Sequence, residues 1–297
     1  MERLAPVALL LLAAGCGGRR EAPAPPAPRP VAAPGILALR PGLALSLVPN
    51  LPGVPVDDVP EATRRDVEIL ALDGRSLRLK WSGTVRVETA ESARRREEWI
   101  RASSNAPTGA TPRPAIRASY ETRTISGTLV FPDRLSAGAF LLPGLWPEGN
   151  ATLPGATGLA LPSGALEDLK LRGEARVPLY LEARSLREPA SVLLRRASEL
   201  AADTHEKSPA LLSRVAPPHR FGLEVDGKTL EFATIVAVNW FGTFEILDDP
   251  QNPLVLGVLP SPASAPVLDL FAPAKVLKTL LGFRVASVLS PRPEPAR

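Results

Sequence analysis

Cysteine and histidine are scarce in this chain of 297 residues: Cys16 is the only cysteine, and His205 and His219 are the only histidines. A single cysteine cannot form a disulfide bond within the chain or build a cysteine-based zinc site. Two histidines cannot supply a three-histidine metal site. A serine hydrolase would need one of them as its base, and the sequence contains no G-x-S-x-G nucleophile turn. The counts therefore remove most of the common catalytic apparatus.

Aromatic residues are also few, at 5% of the chain, and the formal net charge of +4 is spread along its length. The one dense basic run is Arg94–Arg96, and Glu91, Glu97 and Glu98 surround it at helical spacing. This pattern predicts a solvated helix face with ion pairs along it. It does not indicate a nucleic-acid partner, which would call for a basic patch interleaved with aromatic residues.

The first sixteen residues, MERLAPVALLLLAAGC, hold the clearest motif. From Leu4 to Ala14 the chain is almost entirely Leu, Ala and Val, which matches the apolar part of a signal peptide and is too short to span a bilayer. The small residues Ala13, Ala14 and Gly15 stand directly before Cys16. This stretch resembles the signal peptide of bacterial lipoprotein precursors, in which the cysteine is acylated and becomes the new N-terminus. The alternative is an ordinary secretory signal followed by an unused thiol.

The resemblance implies that residues 1–15 are removed and that lipid on Cys16 anchors the protein to a membrane. It leaves no thiol free for catalysis. Residue 17 is glycine, whereas an aspartate at this place favours the inner membrane in well-studied double-membraned bacteria. The resemblance therefore implies an outer-membrane lipoprotein of the cell envelope, facing either the periplasm or the surface.

Proline dominates the segment after the cysteine, with six prolines in residues 21–34. Such a composition cannot pack a core, so residues 16–35 are predicted to be a lipidated, proline-rich spacer. Residues 36–150 and 151–290 are predicted to form two β-rich units, the second with short helices, or one domain that contains both. Residues 291–297 are predicted to be a disordered tail.

Alternating apolar and polar residues predict strands over most of the globular part. The clearest hairpins lie at 67–88 and 221–247, where Asp73 and Asp226 each precede a glycine in the kind of turn that joins two strands. The two hairpins also resemble each other, as an internal repeat would, although Asp-Gly turns recur by chance. The predicted fold is mainly β, an antiparallel sheet with several short helices, which is α+β by strict counting.

The remaining elements are predicted from shorter patterns. Further strands are predicted at 36–48 around a Pro-Gly turn, 115–131, 158–161, 176–183, 254–259 and 283–289. Helices are predicted at 91–103, at 163–173 with Ser163 as N-cap, from Pro189 onward, and at 274–281. The Pro- and Gly-rich residues 141–156 are predicted to be a long loop.

Two candidate sites lie in predicted loops. Asp248, Asp249 and Asn252, in EILDDPQNP, could surround a hard cation such as calcium, but the same residues are typical of a strand-ending turn, which we favour. Trp146 lies in the predicted loop 141–156, where we expect it to be exposed and able to contact a partner or lipid. The sequence indicates no cofactor.

These observations favour a lipid-anchored cell-envelope protein that binds or scaffolds another envelope component, either protein or lipid, or an apolar ligand, without catalysis. A carboxylate- or calcium-dependent hydrolase acting on envelope polymers is the alternative from a different class, because its acids can come from any part of a chain. A structural subunit of an outer-membrane assembly is a third interpretation. Two buried acids with raised pKa values would favour the hydrolase, and an exposed apolar patch or unpaired edge strand would favour the structural subunit.

Overall fold

A computed structural model describes residues 31–50, 64–74, 76–104, 119–133, 138–179, 211–215, 217–261 and 282–291. Strands are the main element in these ranges, which confirms the prediction of a mainly β fold with short helices. The predicted signal peptide and the helices predicted from Pro189 onward and at 274–281 lie outside the described residues. None of the helices in the described ranges is long and apolar enough to cross a membrane.

Fourteen strands and two α-helices are found in these ranges. The strands are β1 (Ala44–Pro49), β2 (Arg65–Asp73), β3 (Ser76–Glu88), β4 (Tyr120–Phe131), β5 (Ala139–Phe140), β6 (Gly149–Thr152), β7 (Ala156–Thr157), β8 (Glu174–Arg176), β9 (Leu211–Arg214), β10 (His219–Val225), β11 (Lys228–Val238), β12 (Gly242–Leu247), β13 (Val255–Pro260) and β14 (Phe283–Leu289). The helices are α1 (Ala90–Ser104) and α2 (Ser163–Leu171), and 3₁₀ turns cover Pro34–Leu37 and Pro143–Leu145.

Both predicted Asp-Gly hairpins are confirmed. The first joins β2 to β3 in antiparallel register, and Gly74 in its turn has φ +48°. The second joins β10 to β11 through Asp226 and Gly227, whose φ values are 49° and 77°. Two successive residues with positive φ form the type of turn whose twist matches that of antiparallel strands. The turn residues therefore fix the register of β10 against β11.

Five strands, β10 to β14, pair in a closed cycle that we call the strand ring. The pairs β10–β11, β11–β12, β12–β13 and β13–β14 are antiparallel, and β10–β14 is parallel. Strand β14 has β1 along one edge. Along its other edge lie β13, beside Phe283 and Arg284, and β10, beside Ser287 and Val288. The last described strand thus closes the ring.

Strand β1 connects the ring to the strands of the N-terminal half. The sheet runs β6-β4-β3-β2-β1-β14 on this side and continues through β13, β12, β11 and β9 to β8. Strand β10, which pairs with β11 and β14, is its twelfth strand. The buried apolar residues of both halves form one hydrophobic cluster. Strands from both predicted units thus share one sheet, and the division at residue 150 remains a prediction.

The Pro- and Gly-rich segment 141–156 is not the irregular loop that we expected. Strand β6 within it pairs in parallel with β4, and every residue from Leu141 to Trp146 is buried. The 3₁₀ turn packs Leu142 and Leu145 into the hydrophobic cluster. Burial of apolar side chains therefore outweighs the local preference of proline and glycine for surface loops.

Several predicted boundaries also differ from the structure. The strand predicted at 158–161 is replaced by β7 and a single bridge. Of the strand predicted at 176–183, only residue 176 belongs to β8, and residues 180–183 lie outside the described residues. The apolar run that begins at Ile36 starts in a 3₁₀ turn, and α2 begins at Ser163 so that Pro162 is its N-cap. Short strands are fixed by their tertiary neighbours more than by their own sequence, which accounts for the errors at β7 and β8, strands of two and three residues.

Helix α1 confirms the interpretation of the basic run. Arg94 lies 3.9 Å from Glu98, and Arg95 lies 3.9 Å from Glu91, each pair four residues apart on an exposed face. The helix begins after Thr89, whose Oγ1 accepts a hydrogen bond from the backbone N–H of Ser92 at 3.2 Å. Capping and ion pairs thus account for a helix that carries few apolar residues.

We predict that Gly127→Ala destabilises the fold. A Cβ on Gly127 in β4 would lie 2.5 Å from the backbone oxygen of Gly149, 2.7 Å from Nε1 of Trp81 and 2.9 Å from the backbone oxygen of Pro147. Backbone and a buried indole must move to admit it, which costs about 1–3 kcal/mol of unfolding free energy. Urea denaturation measures the change. Gly222→Ala is the matched strand control, because no atom lies within 4 Å of its Cβ position, and an equal loss in both variants would contradict the prediction.

Candidate functional site

Strand register in the ring brings a glutamate, an arginine and a histidine to one face. Arg284, Gly257 and Glu245 lie directly opposite one another on β14, β13 and β12. Strand β11 continues this row, and His219 on β10 pairs with it at Thr234, on the same face. Directly opposite residues in a ladder project from the same side of the sheet. The topology thus collects charged residues that are up to 65 positions apart in the sequence.

This shared face is the inner face of the ring. Phe244, the residue before Glu245, projects to the opposite side because successive side chains in a strand alternate. Its ring lies 6.3 Å from the ring of Phe140, which belongs to β5 and is outside the strand ring. Glu245 therefore points inward. We call His219, Phe221, Glu245, Gly257 and Arg284 the ring cluster.

Arg284 is held by two contacts with β10. Its guanidinium carbon lies 4.5 Å from the centroid of the Phe221 ring, and its Nη2 donates a hydrogen bond to the backbone oxygen of Gly222 at 3.1 Å. Stacking on an aromatic face and a hydrogen bond together fix the plane of the guanidinium. Neither contact uses the carboxylate of Glu245, so the two opposite charges stand near each other without pairing.

Glu245 lies across Gly257. Its Oε2 is 3.3 Å from the point where a side chain at position 257 would begin, and its Oε1 is 3.7 Å from Nδ1 of His219. The side chain of Glu245 is 27% exposed, and that of His219 is 56% exposed, so the cluster opens to solvent at the histidine. Burial raises the pKa of Glu245 above its usual value, and the nearby charges of Arg284 and His219 only partly oppose this shift.

A β-bulge adjoins Glu245. Glu245 pairs with Gly257 and Ile246 pairs with Val255, so Leu256 has no residue directly opposite it. Bulges bend a strand and redirect nearby side chains, and they are frequent beside active and binding sites. The bulge and the missing side chain at position 257 together let the carboxylate lean over β13 toward β14.

The ring cluster offers a partly buried acceptor, a fixed cation and an exposed imidazole. These groups can bind a polar ligand through ion pairs, and a carboxyl with a raised pKa beside an imidazole can also transfer protons. A hydrolase with paired acids would need a second carboxyl beside Glu245. In the ranges that the structure describes, no group of three His, Cys, Asp or Glu side chains is placed to hold a metal ion.

A second group of charged and aromatic side chains lies on the N-terminal half. Arg65 is 3% exposed, its guanidinium carbon lies 4.3 Å from the centroid of Trp81, and its Nη1 donates a hydrogen bond to the backbone oxygen of Pro143. Trp146 completes this Arg65 cluster, with its ring 6.3 Å from that of Trp81. Burial lowers the pKa of Arg65 to about 9, against the opposing charge of Glu148.

The Arg65 cluster fastens the segment 141–147 to the sheet. Its guanidinium is covered by Trp81 on one side and bonded to the segment at Pro143. The Nε of Arg65 and the Nε1 atoms of Trp81 and Trp146 are buried and make no hydrogen bond with the described residues. A buried cation that touches the protein in this way positions the backbone around it, and we assign the cluster a structural role.

Trp146 is 4% exposed, so the expectation that it is exposed is wrong. The leucines of the same segment pack into the hydrophobic cluster together with Trp146, and its ring lies beside that of Trp81. Its contact with a partner stays a prediction that the buried position does not favour. Cys16, the predicted lipid attachment site, lies outside the described residues.

The predicted calcium ligands have other partners. Oδ1 of Asp248 lies 2.5 Å from Nζ of Lys170, and Oδ1 of Asp249 accepts a hydrogen bond from the backbone N–H two residues later at 3.0 Å. Nδ2 of Asn252 donates to the backbone oxygen of Leu37 at 2.8 Å. These contacts form the turn that we favoured, and the calcium interpretation remains a prediction.

Sequence reasoning missed the ring cluster because no local pattern links its members. The one signal was Glu245 itself, a charged residue between Phe244 and Ile246, which are both core residues. A charge in an apolar strand is costly unless it has a function or a partner. Only the register of β12 against β13 and β14 shows which residues surround it.

We predict that Glu245→Gln stabilises the protein more at pH 7 than at pH 4. Since the folded-state pKa of Glu245 is raised, its contribution to stability is fully present at low pH and is lost as the pH rises through the raised pKa. Arg284 and His219 are the charged groups that face it. Melting temperatures of both proteins at both pH values measure the effect. Glu224→Gln, an exposed carboxylate on β10, is the control, and a pH-independent difference for Glu245→Gln would refute the prediction.

Comparison with protein-family models, with curated proteins and with solved structures gives no match to this chain. A fold can carry many unrelated functions, so the function follows from the chemistry of the site. The ring cluster is the part of the described structure where charge, partial exposure and an unusual strand geometry coincide.

Proposed function

We propose that this protein is a lipid-anchored cell-envelope protein that binds another envelope component at the ring cluster without catalysing a reaction on it. The observation that carries the proposal is the arrangement of Glu245 and Arg284, two opposite charges that share one face of the ring and do not pair. Partial burial is unfavourable for a carboxylate whose neighbours are an imidazole at 3.7 Å and a guanidinium bonded elsewhere. A ligand that forms ion pairs with Glu245 and Arg284 would offset this unfavourable free energy.

The N-terminal sequence supports the proposed location of the protein in the cell envelope. It resembles a lipoprotein signal peptide, and the predicted proline-rich spacer, residues 16–35, follows it. Near the end of the predicted spacer, the backbone N–H of Ala32 donates to the backbone oxygen of Glu231 on β11 at 2.7 Å. The proposed tether therefore joins the protein at the strand ring, beside the proposed binding site.

The lengths of the sheet edges bear on the structural-subunit interpretation. The outermost strands, β6 and β8, have four and three residues and offer few free backbone groups for another chain to extend the sheet. Strand β4, however, pairs with β6 only at Gly127–Val130, so its residues 121–126 have no second strand beside them in the described ranges. This edge favours the structural subunit as a second candidate function.

The hydrolase alternative is favoured by one observation, the raised pKa of Glu245 next to the imidazole of His219. A carboxyl of this kind can act as a general acid. Release of soluble fragments from isolated cell walls separates the two functions. Release by the native protein that is lost in Glu245→Gln would favour hydrolysis, and binding to the walls without release would favour the proposal.

We predict that Cys16→Ser releases the protein from membranes. Acyl chains on Cys16 are the only proposed anchor, and more than one chain is needed for stable attachment. Fractionation and intact mass spectrometry of protein from its own host test this. The native protein should be membrane-bound, with a mass that shows loss of residues 1–15 and added lipid, whereas nearly all of the variant should be soluble. A native mass without lipid would contradict the anchor.

We predict that a photoreactive benzoylphenylalanine at His219 forms an adduct with an envelope component in intact cells. The position lies at the exposed rim of the ring cluster, within reach of any ligand held by Glu245. The same probe at Leu171, which is 85% exposed on α2, is the control for surface position. The adduct should disappear when Glu245→Gln is added. Adducts of equal yield from both positions, or an adduct unaffected by Glu245→Gln, would count against the proposed function.

A further inference from the structure

We infer that the ring cluster binds the zwitterionic head group of an amino acid, with its ammonium on Glu245 and its carboxylate on Arg284. The inference rests on the proposed function, because it names the chemistry of the ligand at the same site. It is carried by the positions of the two charges relative to Gly257 and by the contacts that hold each of them.

The spacing of the two charges suits a small ligand. Glu245 and Arg284 lie directly opposite Gly257 from its two sides, so their Cα atoms are roughly 10 Å apart across two strand spacings. The carboxylate of Glu245 leans over Gly257, whereas the guanidinium of Arg284 is drawn back onto Phe221. The row thus has an acidic end and a basic end, and the residue between them has no side chain.

Glu245 repels a ligand that carries only a negative charge, and Arg284 repels a ligand that carries only a positive charge. A simple anion on Arg284 would lie beside the carboxylate of Glu245, and a simple cation on Glu245 would lie beside the guanidinium. Like charges at a few ångströms repel strongly in a partly buried site. A ligand with both charges a single carbon apart meets an opposite charge at each end. The pair therefore selects for a zwitterion by attraction and by repulsion together.

The groups also have the donors and acceptors that this head group needs. A carboxylate accepts hydrogen bonds from the N–H groups of the planar guanidinium, and an ammonium donates to a carboxylate. Nη2 of Arg284 already donates to Gly222, which fixes the orientation of the remaining donors before the ligand arrives. A fixed donor loses less conformational entropy on binding than a mobile one.

The exposed side of the cluster determines where the rest of the ligand projects. His219 is 56% exposed and borders Glu245, so a substituent on the head group leaves the site past this imidazole. A free amino acid and an amino-acid group carried by a polymer offer the same head group. The two sources differ only in the substituent.

Glycine-selective nuclear magnetic resonance tests the inference. The full-length Cys16→Ser chain is labelled with ¹⁵N at its 22 glycines, two of which, Gly222 and Gly257, lie at the site. The probes are alanine, which carries both charges, propionate, which lacks the ammonium, and ethylamine, which lacks the carboxylate. Alanine should shift the Gly222 and Gly257 signals with a dissociation constant on the order of 1 mM. Propionate and ethylamine should bind at least about tenfold more weakly.

Variants tie the shifts to the two charges. Glu245→Gln and Arg284→Gln should each weaken alanine binding about tenfold or more, the effect of losing one charged partner. Glu224→Gln, on the outward face of β10, should leave binding unchanged. Retained glycine signals away from the site show that each variant is folded. Equal shifts with propionate or ethylamine, or alanine binding that neither variant weakens, would overturn the inference.

Two longer probes separate the possible sources. Nε-acetyllysine in its L and D forms carries the same head group on a long substituent and stands in for a group attached to a polymer. Binding tighter than that of alanine supports an attached head group, and equal binding supports a free amino acid. If no probe with both charges shifts Gly222 or Gly257 while the adduct at His219 still depends on Glu245, this inference fails and the proposed function stands.

Discussion

The described fold depends on strand β14, because its backbone pairs with strands from both halves of the chain. One edge pairs with β1, from Ala44 to Pro49, and the other edge pairs with β13 and β10. Its side chains Phe283, Val285 and Val288 are buried. Contacts between residues more than 200 positions apart carry a large loop-closure cost, which burial of these side chains must repay. The continuous sheet therefore requires strands from both halves of the chain, whereas the ring is built from β10 to β14 alone.

Two partly or fully buried charges in this fold have opposite surroundings. Arg65 is covered by Trp81 and bonded to the backbone at Pro143, so the protein itself supplies its partners and gains a fixed segment in return. Among the described residues, the cationic groups near Glu245 are an imidazole at 3.7 Å and a guanidinium that is bonded elsewhere. Arg65 is 3% exposed and its contacts hold a segment of the chain, whereas the side chain of Glu245 is 27% exposed and open to a ligand from solvent. This difference is the physical reason for assigning structure to one cluster and binding to the other.

The sequence predicted those parts of the fold that local patterns determine. The two Asp-Gly hairpins, α1 and the final strand at 283–289 follow from turn chemistry, charge spacing and alternation, and the structure confirms them. The prediction of a long loop at 141–156 was wrong because its leucines and Trp146 pack into a core that distant strands form. The ring cluster was invisible for the same reason, since it exists only through register between strands that lie far apart in the sequence. Tertiary contacts determine the structure of both regions, and these contacts cannot be predicted from the local patterns of a single sequence.

Selection for stability alone would not place a carboxylate where Glu245 lies. A β-branched apolar residue could take this position between Phe244 and Ile246. It would remove the free-energy cost of burying a carboxylate, which is the cause of the raised pKa of Glu245. Three further departures from regular sheet structure adjoin it: a bulge at Leu256, a strand position without a side chain at Gly257, and an arginine turned onto an aromatic ring. Each is tolerable alone, but together they keep the carboxylate within reach of solvent and of a second charge. Proteins break local rules where function requires it, so this coincidence points to a ligand at the ring.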